Sequence, residues 1–285
     1  MPATGSPTAR RRELGSMLRS LRTDAGLTTE DVAGRLGFSR SKISRLENGR
    51  RGASQVDILQ LCELYRVGEQ YRLRLTELAA EGKQRARRPR FSLPHSDYIG
   101  LEAEAESISD WGLAIVPGLL QTPDYARAIV RGGVPSGEPE IIDERVEVRM
   151  ARQELLYSEG GPAFDAVLDE SVLHRVVGSP AVMLAQLKHL LEMSELPNVT
   201  IRVLPYDVGT MPAGVNKFVI LRFALPGISD VVLIEDLTSH RYLEEPEEVE
   251  AYSSTFRTLA HLAADPGDSK ALLQANLAAY MSKTR

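Results

Sequence analysis

The stretch from Thr28 to Gly49, TTEDVAGRLGFSRSKISRLENG, constrains the fold of this chain more than any other. Thr28 is a good N-cap for a first short helix, and Ser39 is a good N-cap for a second. Between them, Gly37 and Phe38 interrupt the apolar period. Two helices at this spacing, with a glycine in the turn, are typical of a helix-turn-helix.

The second helix of this motif has an apolar inward side, with Ile43 and Leu46, and a polar outward side. The outward residues are short or basic, and no carboxylate precedes Glu47: Arg40, Ser41, Lys42, Ser44 and Arg45. A helix that enters the major groove needs this composition, because its cations meet phosphates and its first turns reach base edges. We therefore expect binding to double-stranded DNA. A solvated helical hairpin is the simpler alternative, and the turn spacing argues against it.

The charge distribution supports the same interpretation. The chain carries a net charge of −5, but residues 1–90 contain 19 basic and 10 acidic residues, a net charge of +9. Residues 91–285 contain 15 basic and 29 acidic residues, a net charge of −14. A basic N-terminal part joined to an acidic C-terminal part is typical of a DNA-binding head with a regulatory body.

The segment LRSLRTDAGLTTEDVAGRLGFSRSKISRLENGRR resembles the lambda-repressor-like (XRE-type) helix-turn-helix family over about Leu14 to Val67. The resemblance implies an all-α head of five helices, with the third as the recognition helix. It also implies an ion pair between Arg22 and Glu47 that holds the recognition helix to helix one. Thr29 stands where the family often has a glutamine, and its hydroxyl is expected to meet a phosphate.

Each residue of the predicted interface has an expected role. Arg40, Ser41 and Arg45 are expected to read bases, and Ser39 to start the recognition helix. A further set is expected to position the head on phosphates: Thr28, Thr29, Lys42, Ser44, Asn48, Arg50 and Arg51. One such head reads only a few base pairs, so we expect a homodimer on a palindrome with half-sites about one helical turn apart.

Composition divides the chain into three parts. We place the DNA-binding head at residues 1–81, a linker at 82–95 and a regulatory or interaction domain at 96–285. The linker is strongly basic, and its two prolines discourage a helix. The last helix of the head is expected from about Gly68 to Ala80, with Tyr71, Leu75 and Leu78 facing inward.

The second domain interleaves helical and strand-like runs. A helix is expected around Ile99 to Trp111, with Leu101, Ala105 and Ile108 on one stripe. Longer helices are expected at Asp143–Tyr157, Ser179–Met193, Glu247–Ala263 and Ser269–Ser282. Strands are expected at Phe164–Leu168, Val199–Leu204, Lys217–Phe223 and Val231–Glu235. This order predicts an α/β or α+β body with a small sheet.

The segments VPGLLQTPDYARA, FDAVLDESVLHRVVG and VTIRVLP resemble the C-terminal domain of actinobacterial regulators described as antitoxin-like. Those proteins pair an XRE-type head with this body. The resemblance implies transcriptional regulation and a small partner protein, often encoded nearby. It leaves two functions open. The body either senses a partner or ligand for a DNA-bound regulator, or mainly restrains a small partner protein while DNA binding serves autoregulation.

The body offers little for catalysis. The five histidines, at 95, 174, 189, 240 and 261, form no HxxxH pair, and no phosphate-binding glycine loop or GxSxG motif is present. The carboxylate pairs Asp169-Glu170 and Glu235-Asp236 end strand-like runs, where such groups more often cap the next turn than act as acids or bases. We expect no enzyme activity, no metal and no cofactor.

Two smaller expectations complete the sequence-based picture. Trp111 and Tyr125 are candidates to line a ligand cleft, although a lone tryptophan is more often part of a core. The apolar runs are shorter than the roughly 20 residues that a membrane helix needs. The first residues lack the apolar run of a secretory signal, and Cys62 is the only cysteine. We therefore expect a cytoplasmic protein with no membrane contact.

Overall fold

The structure is a computed structural model that describes residues 7–49, 51–82, 96–133, 138–209, 216–224, 229–235 and 240–283. The chain divides into two compact units, one within residues 1–104 and 223–229, the other within residues 105–222 and 230–285. We call residues 7–82 the head and the second unit the body. Residues 83–95, nearly all of the predicted linker, lie outside the described residues, and the domain boundaries stay a prediction.

The described part of the head contains five helices, as expected. They are α1 (Pro7–Asp24), α2 (Thr29–Leu36), α3 (Arg40–Glu47), α4 (Gln55–Leu64) and α5 (Glu69–Glu81). Each helix contributes apolar side chains to one core, which includes Leu14, Leu18, Val32, Ile43, Leu46, Ile58, Leu61, Leu75 and Leu78. Burial of this shared core, rather than helix propensity, stabilises helices as short as α2 and α3.

Tyr71 departs from the prediction that it faces the core. Its side chain is 58 % exposed, whereas Leu75 and Leu78 are fully buried as expected. The three residues share a helical stripe, but every residue from Glu69 to Leu73 is exposed. The first turn of α5 therefore precedes the part of the helix that packs on the core.

The remaining helices include one in the first unit, α6 (Ser96–Glu102). The body helices are α7 (Pro123–Gly133), α8 (Pro139–Tyr157), α9 (Ser171–His174), α10 (Pro180–Met193), α11 (Pro246–Leu262) and α12 (Pro266–Lys283), with 3₁₀ turns at Gly118–Leu120 and Tyr206–Val208. All of these body helices except α9 begin at a proline. Proline suits the first helical position, because its missing N–H would have no partner there and its φ is already helical.

The body strands form one mixed sheet. They are β1 (Ser107–Gly112), β2 (Ala163–Asp169), β3 (Val199–Leu204), β4 (Phe218–Arg222), β5 (Val231–Glu235) and β6 (His240–Leu243). Their order across the sheet is β3-β2-β1-β4-β5-β6. The pairs β1–β2 and β2–β3 are parallel, and the pairs β1–β4, β4–β5 and β5–β6 are antiparallel. A helical head with a mixed α/β body confirms the predicted fold class.

Strand β1 corrects the helix expected around Ile99 to Trp111. The helix ends at Glu102, and residues 107–112 are a central strand. Five of the six residues of β1 are buried, so the strand lacks the polar–apolar alternation of a strand with one face in water. Without that alternation, the spacing of Leu101, Ala105 and Ile108 imitates a helical stripe. Edge strand β6 was not predicted.

One face of the sheet packs against α11. Trp111 of β1 and Phe218 of β4 are buried there with Phe256 of α11, whose ring meets that of Phe218 edge-on at 6.4 Å. Tyr125, on α7, is also fully buried. Trp111 and Tyr125 are therefore core residues, and the expectation that they line an open ligand cleft is wrong.

Buried glutamines hold the connection between β1 and α7. Gln121 donates to the carbonyl of Val116 at 2.6 Å, and Gln153 donates to the carbonyl of Gln121. Gln186 of α10 donates to the carbonyl of Leu120 at 2.6 Å and accepts from the N–H of Thr122 at 2.8 Å. These amides satisfy backbone groups that burial would otherwise leave without partners.

Candidate nucleic-acid interface

The beginning and end of α2 are set by local signals. The Thr28 hydroxyl accepts from the N–H of Asp31 at 3.1 Å, and the Asp31 carboxylate accepts from the N–H of Thr28 at 2.8 Å, which completes a capping box. Hydrogen bonds from Thr28 lower the pKa of Asp31. Gly37 ends α2 with a φ of 64°, a left-handed conformation that glycine adopts without strain. The hydroxyl of Thr28, expected at a phosphate, therefore acts first as a cap.

Helix α3 begins at the predicted cap and is anchored on its inner side. The Ser39 hydroxyl accepts from the N–H of Lys42 at 3.2 Å. The Arg22 guanidinium binds Glu47 through two hydrogen bonds, Nε to Oε1 at 2.6 Å and Nη2 to Oε2 at 3.0 Å. Arg22 also donates to the carbonyl of Leu27 at 2.8 Å. The contact with Glu47, whose side chain is only 6 % exposed, raises the pKa of Arg22 and fixes α3 to α1.

Gly15 of α1 allows an equally close backbone contact. A Cβ atom at this position would lie 2.4 Å from the carbonyl oxygen of Glu47 and 2.7 Å from that of Leu46. Both distances are far below van der Waals contact, so any larger residue would push α1 and α3 apart. The last turn of α3 therefore lies against α1 through two contacts: the close backbone approach at Gly15 and the ion pair of Arg22 with Glu47.

The outer face of α3 presents four of the predicted residues together: Arg40, Ser41, Ser44 and Arg45, all exposed. The Arg40 guanidinium, with a side chain 70 % exposed, pairs with Glu30 of α2 at 2.9 Å. Arg45 folds back, and its Nε donates to the carbonyl of Ser41 at 3.0 Å. The contacts that the structure describes for these two guanidinium groups are exposed, and such contacts are weak and easily exchanged for others.

The other predicted contacts lie around this face. Thr29 begins α2 and is half-buried, and Asn48 caps the end of α3. Arg51 is exposed in the following loop, where its N–H donates to the carbonyl of Arg45 at 3.0 Å. Arg50 lies outside the described residues. The structure thus brings Asn48 and Arg51 to the end of α3, and Thr29 to the start of α2.

Lys42 departs from the prediction that it lies on the outward face. Its ammonium is 2.6 Å from Oδ1 of Asp57 on α4 and 3.3 Å from the ring centroid of Phe38. Its side chain is only 19 % exposed. The reason is that the carboxylate of Asp57 lies within reach of the first turn of α3 and attracts the ammonium inward. The phosphate contact expected from Lys42 stays a prediction, and the ammonium would have to leave Asp57 to make it.

Three residues of this region were missed from the sequence: Glu30, Phe38 and Asp57. Asp57 carried a usable signal, because it follows Ser54 by three positions and the two form a capping box at the start of α4. Neither the contact of Asp57 with Lys42 nor that of Glu30 with Arg40 has a local sequence signature, because each joins two different helices.

The acidic pairs of the body have structural contacts. Asp169 accepts from the N–H of Ser171 at 2.9 Å, and Glu170 accepts from the N–H of Tyr206 at 2.8 Å. Glu235 pairs with Lys217 at 3.1 Å, and Asp236 lies outside the described residues. Within the described ranges, no three His, Cys, Asp or Glu side chains are grouped to hold a metal ion. None of the helices in those ranges combines the length and apolar character needed to cross a membrane.

Comparison with known proteins finds one family match in each of the two parts of the chain. Residues 13–75 match the family model of a helix-turn-helix domain, which confirms that prediction. Residues 95–275, more than half of the chain, match the family model described as a domain of unknown function (DUF5753). The chain belongs to the DUF5753 family.

One curated relative shares the head. The chain is 40 % identical over 53 residues to an uncharacterized HTH-type transcriptional regulator, y4dJ, of Sinorhizobium fredii. The aligned part covers 19 % of this chain and 69 % of that protein. No solved structure matches the chain significantly. The antitoxin-like character expected for the body therefore stays a prediction.

Proposed function

We propose that this chain is a transcriptional regulator that binds specific double-stranded DNA through α3. The observation that carries the proposal is the outer face of α3. It presents two weakly held arginines and two serines, while Arg22 and Glu47 fix the inner face. A rigid helix with adaptable polar side chains is what major-groove readout requires. The regulatory role named for the relative from Sinorhizobium fredii supports the same function.

In the proposed complex the N-terminal turns of α3 lie in the major groove. Arg40, Ser41 and Arg45 contact base edges, and an arginine makes its most specific contact with O6 and N7 of guanine. Ser44, Thr29, Asn48 and Arg51 contact phosphates and fix the register of the head. To reach a base, the Arg40 guanidinium leaves Glu30 and binds the DNA instead. That exchange costs little, because the Arg40–Glu30 pair is exposed.

We further propose that the regulator binds as a homodimer on a palindrome whose half-sites lie about 34 Å apart. One recognition helix reads too few base pairs for a selective site, and a second copy doubles the contacts. The body, a separate and acidic unit, is proposed to sense a partner protein or a ligand. We propose no enzymatic role for the body. The carboxylates of Asp169, Glu170 and Glu235 support this, because each makes a structural contact.

Selection from a random duplex library with the full chain tests the proposal. We expect a short palindromic consensus bound by two chains. Arg40→Ala should cost about 1–3 kcal/mol on the consensus and relax selectivity at one base pair. The matched control is Arg72→Ala, which removes a partly exposed arginine from α5 and should change neither affinity nor consensus.

Two results would contradict the proposal. If the unmodified chain enriches no sequence, it is not a sequence-specific binder. If Arg40→Ala weakens all duplexes equally, Arg40 contacts phosphate and readout must lie elsewhere. A single bound chain at saturation would refute the homodimer while leaving sequence-specific binding intact.

A further inference from the structure

Lys42, Asp57 and Phe38 form an ionic cluster where α3 meets α4. The Lys42 ammonium lies 2.6 Å from Asp57 Oδ1, and the two side chains are only 19 % and 10 % exposed. The same ammonium lies 3.3 Å from the centroid of the Phe38 ring, whose face attracts cations. Lys42 therefore finds two favourable partners within the protein, in a place with little access to water.

Asp57 uses both of its carboxylate oxygens. Oδ1 accepts from Lys42, and Oδ2 accepts from the N–H of Ser54 at 2.9 Å. In return the N–H of Asp57 donates to the Ser54 hydroxyl at 3.0 Å. Burial raises the pKa of Asp57, but hydrogen bonds from Lys42 and Ser54 outweigh burial, and the net pKa is lowered. The carboxylate is therefore charged at neutral pH.

The cluster links two places that frame the proposed interface. Lys42 lies in the first turn of α3, and Asp57 lies in the first turn of α4. Between them lie the rest of α3, with Arg45, and the described residues 48–49 and 51–54, with Arg51. Helix α3 has only eight residues, so a polar contact in its first turn complements the anchor in its last turn, Arg22 with Glu47, in setting its orientation.

We propose that Lys42 and Asp57 are positioning residues for DNA recognition, whose ion pair fixes the orientation of α3 and of Arg51 on the DNA. This inference rests on the proposed function, because orientation matters only if α3 reads bases. It assigns to Lys42 a role other than the phosphate contact suggested by its charge. The effect of the pair is on selectivity, because misoriented arginines still attract phosphates but no longer meet the correct base edges.

The two roles for Lys42 predict opposite results for Asp57→Asn. If Lys42 contacts phosphate, neutralising Asp57 frees the ammonium and removes a negative charge, and binding to every duplex becomes tighter. If the pair positions α3, the same change loosens α3 and weakens binding to the consensus alone. Asparagine keeps an oxygen that can accept from the N–H of Ser54, so the cap of α4 is largely retained.

The experiment measures the affinity of the full chain over a range of salt concentrations. The two probes are a duplex enriched by the unmodified chain and a scrambled duplex of equal length. We expect Lys42→Met and Asp57→Asn each to lower affinity for the enriched duplex about 10-fold, the size of one lost base contact. Affinity for the scrambled duplex and the salt dependence should not change.

Arg51→Met is the matched control for the loss of one positive charge. It removes a proposed phosphate contact and should reduce the slope of log affinity against log salt by about 0.9 on both duplexes. A similar reduction for Lys42→Met, or tighter binding by Asp57→Asn, would overturn the positioning role.

The double variant Lys42→Met, Asp57→Asn guards against misfolding, because it leaves no unpaired buried charge. Circular dichroism verifies its helix content. Since both changes break the same pair, its selectivity loss should equal that of one single variant rather than the product of the two. A folded double variant with unchanged selectivity would show that the pair is only structural.

The outcomes also separate this inference from the proposed function. If the unmodified chain enriches no duplex, the proposed function fails and the positioning role fails with it. If a consensus is found and the variants keep the ratio of enriched to scrambled affinity, only the positioning role fails.

Discussion

The head and the body use buried polar groups in different ways. In the head the groups are charged and join one helix to another, as in Arg22 with Glu47 and Lys42 with Asp57. In the body the amides of Gln121 and Gln186 bind backbone and hold a connecting segment. The head interior orients a surface, whereas this part of the body interior fixes the path of its own chain.

This difference affects what the two units reveal about function. Paired charges in the head point to the surface that they orient, the outer face of α3. The glutamines of the body bind only the segment between β1 and α7, whose residues 116–121 are mostly buried. Three predictions test this contrast. The single tryptophan, Trp111, lies in the body, so its fluorescence follows the unfolding of the body separately from that of the head.

The largest effect is expected for Arg22→Met. The change leaves Glu47 buried without its cation and should lower the stability of the head by roughly 3 kcal/mol. Urea unfolding followed by circular dichroism should show an early loss of helix while Trp111 fluorescence keeps its midpoint. Arg72→Met, on the exposed first turn of α5, is the control and should leave both signals unchanged. An unchanged helical transition in Arg22→Met would mean that the ion pair does not anchor α3.

A somewhat smaller effect is expected for Gln186→Leu. Leucine nearly matches the volume of glutamine but leaves the carbonyl of Leu120 and the N–H of Thr122 without partners, at a cost of about 2 kcal/mol. The Trp111 transition should move to lower urea, and DNA binding should persist. Gln274→Leu, on the exposed side of α12, should move neither. Loss of DNA binding in Gln186→Leu would contradict the contrast between the units.

The smallest effect is expected for Glu30→Gln. The change releases Arg40 and removes a negative charge beside the DNA, and an exposed pair is worth at most about 1 kcal/mol. Affinity should therefore rise up to about fivefold, most clearly at low salt. Glu69→Gln removes an equal charge from α5 and should have no effect. Weaker binding by Glu30→Gln would indicate that Glu30 orients Arg40 in the complex.

The head could be predicted well because its signals are local. Caps at Thr28 and Ser39, and the turn at Gly37, lie within a few residues of the helix ends that they define. The position of Lys42 could not be predicted in this way. Its partner Asp57 lies on another helix, and only packing shows that the two meet.

In the body, the secondary structure at the centre of the sheet was predicted less well than that of the other strands. Strands β3, β4 and β5 are rich in β-branched residues and were predicted, as was β2, whose run is apolar apart from Asp165 and Asp169. Strand β1 contains Ser109 and Asp110, both buried, and its neighbours in the sheet come from distant parts of the chain. Strand β6 is four residues long and half exposed at the sheet edge, too short for a clear pattern.

The position of β1 also bears on how the chain folds during synthesis. Ser107 pairs with Arg222, so the sheet centre closes only after most of the body has left the ribosome. The head contains only neighbouring helices, and such local structure forms early and quickly. We expect a period in which the head is folded while the body is still incomplete. During that period the interface of α3 is present before any control that the body exerts on it.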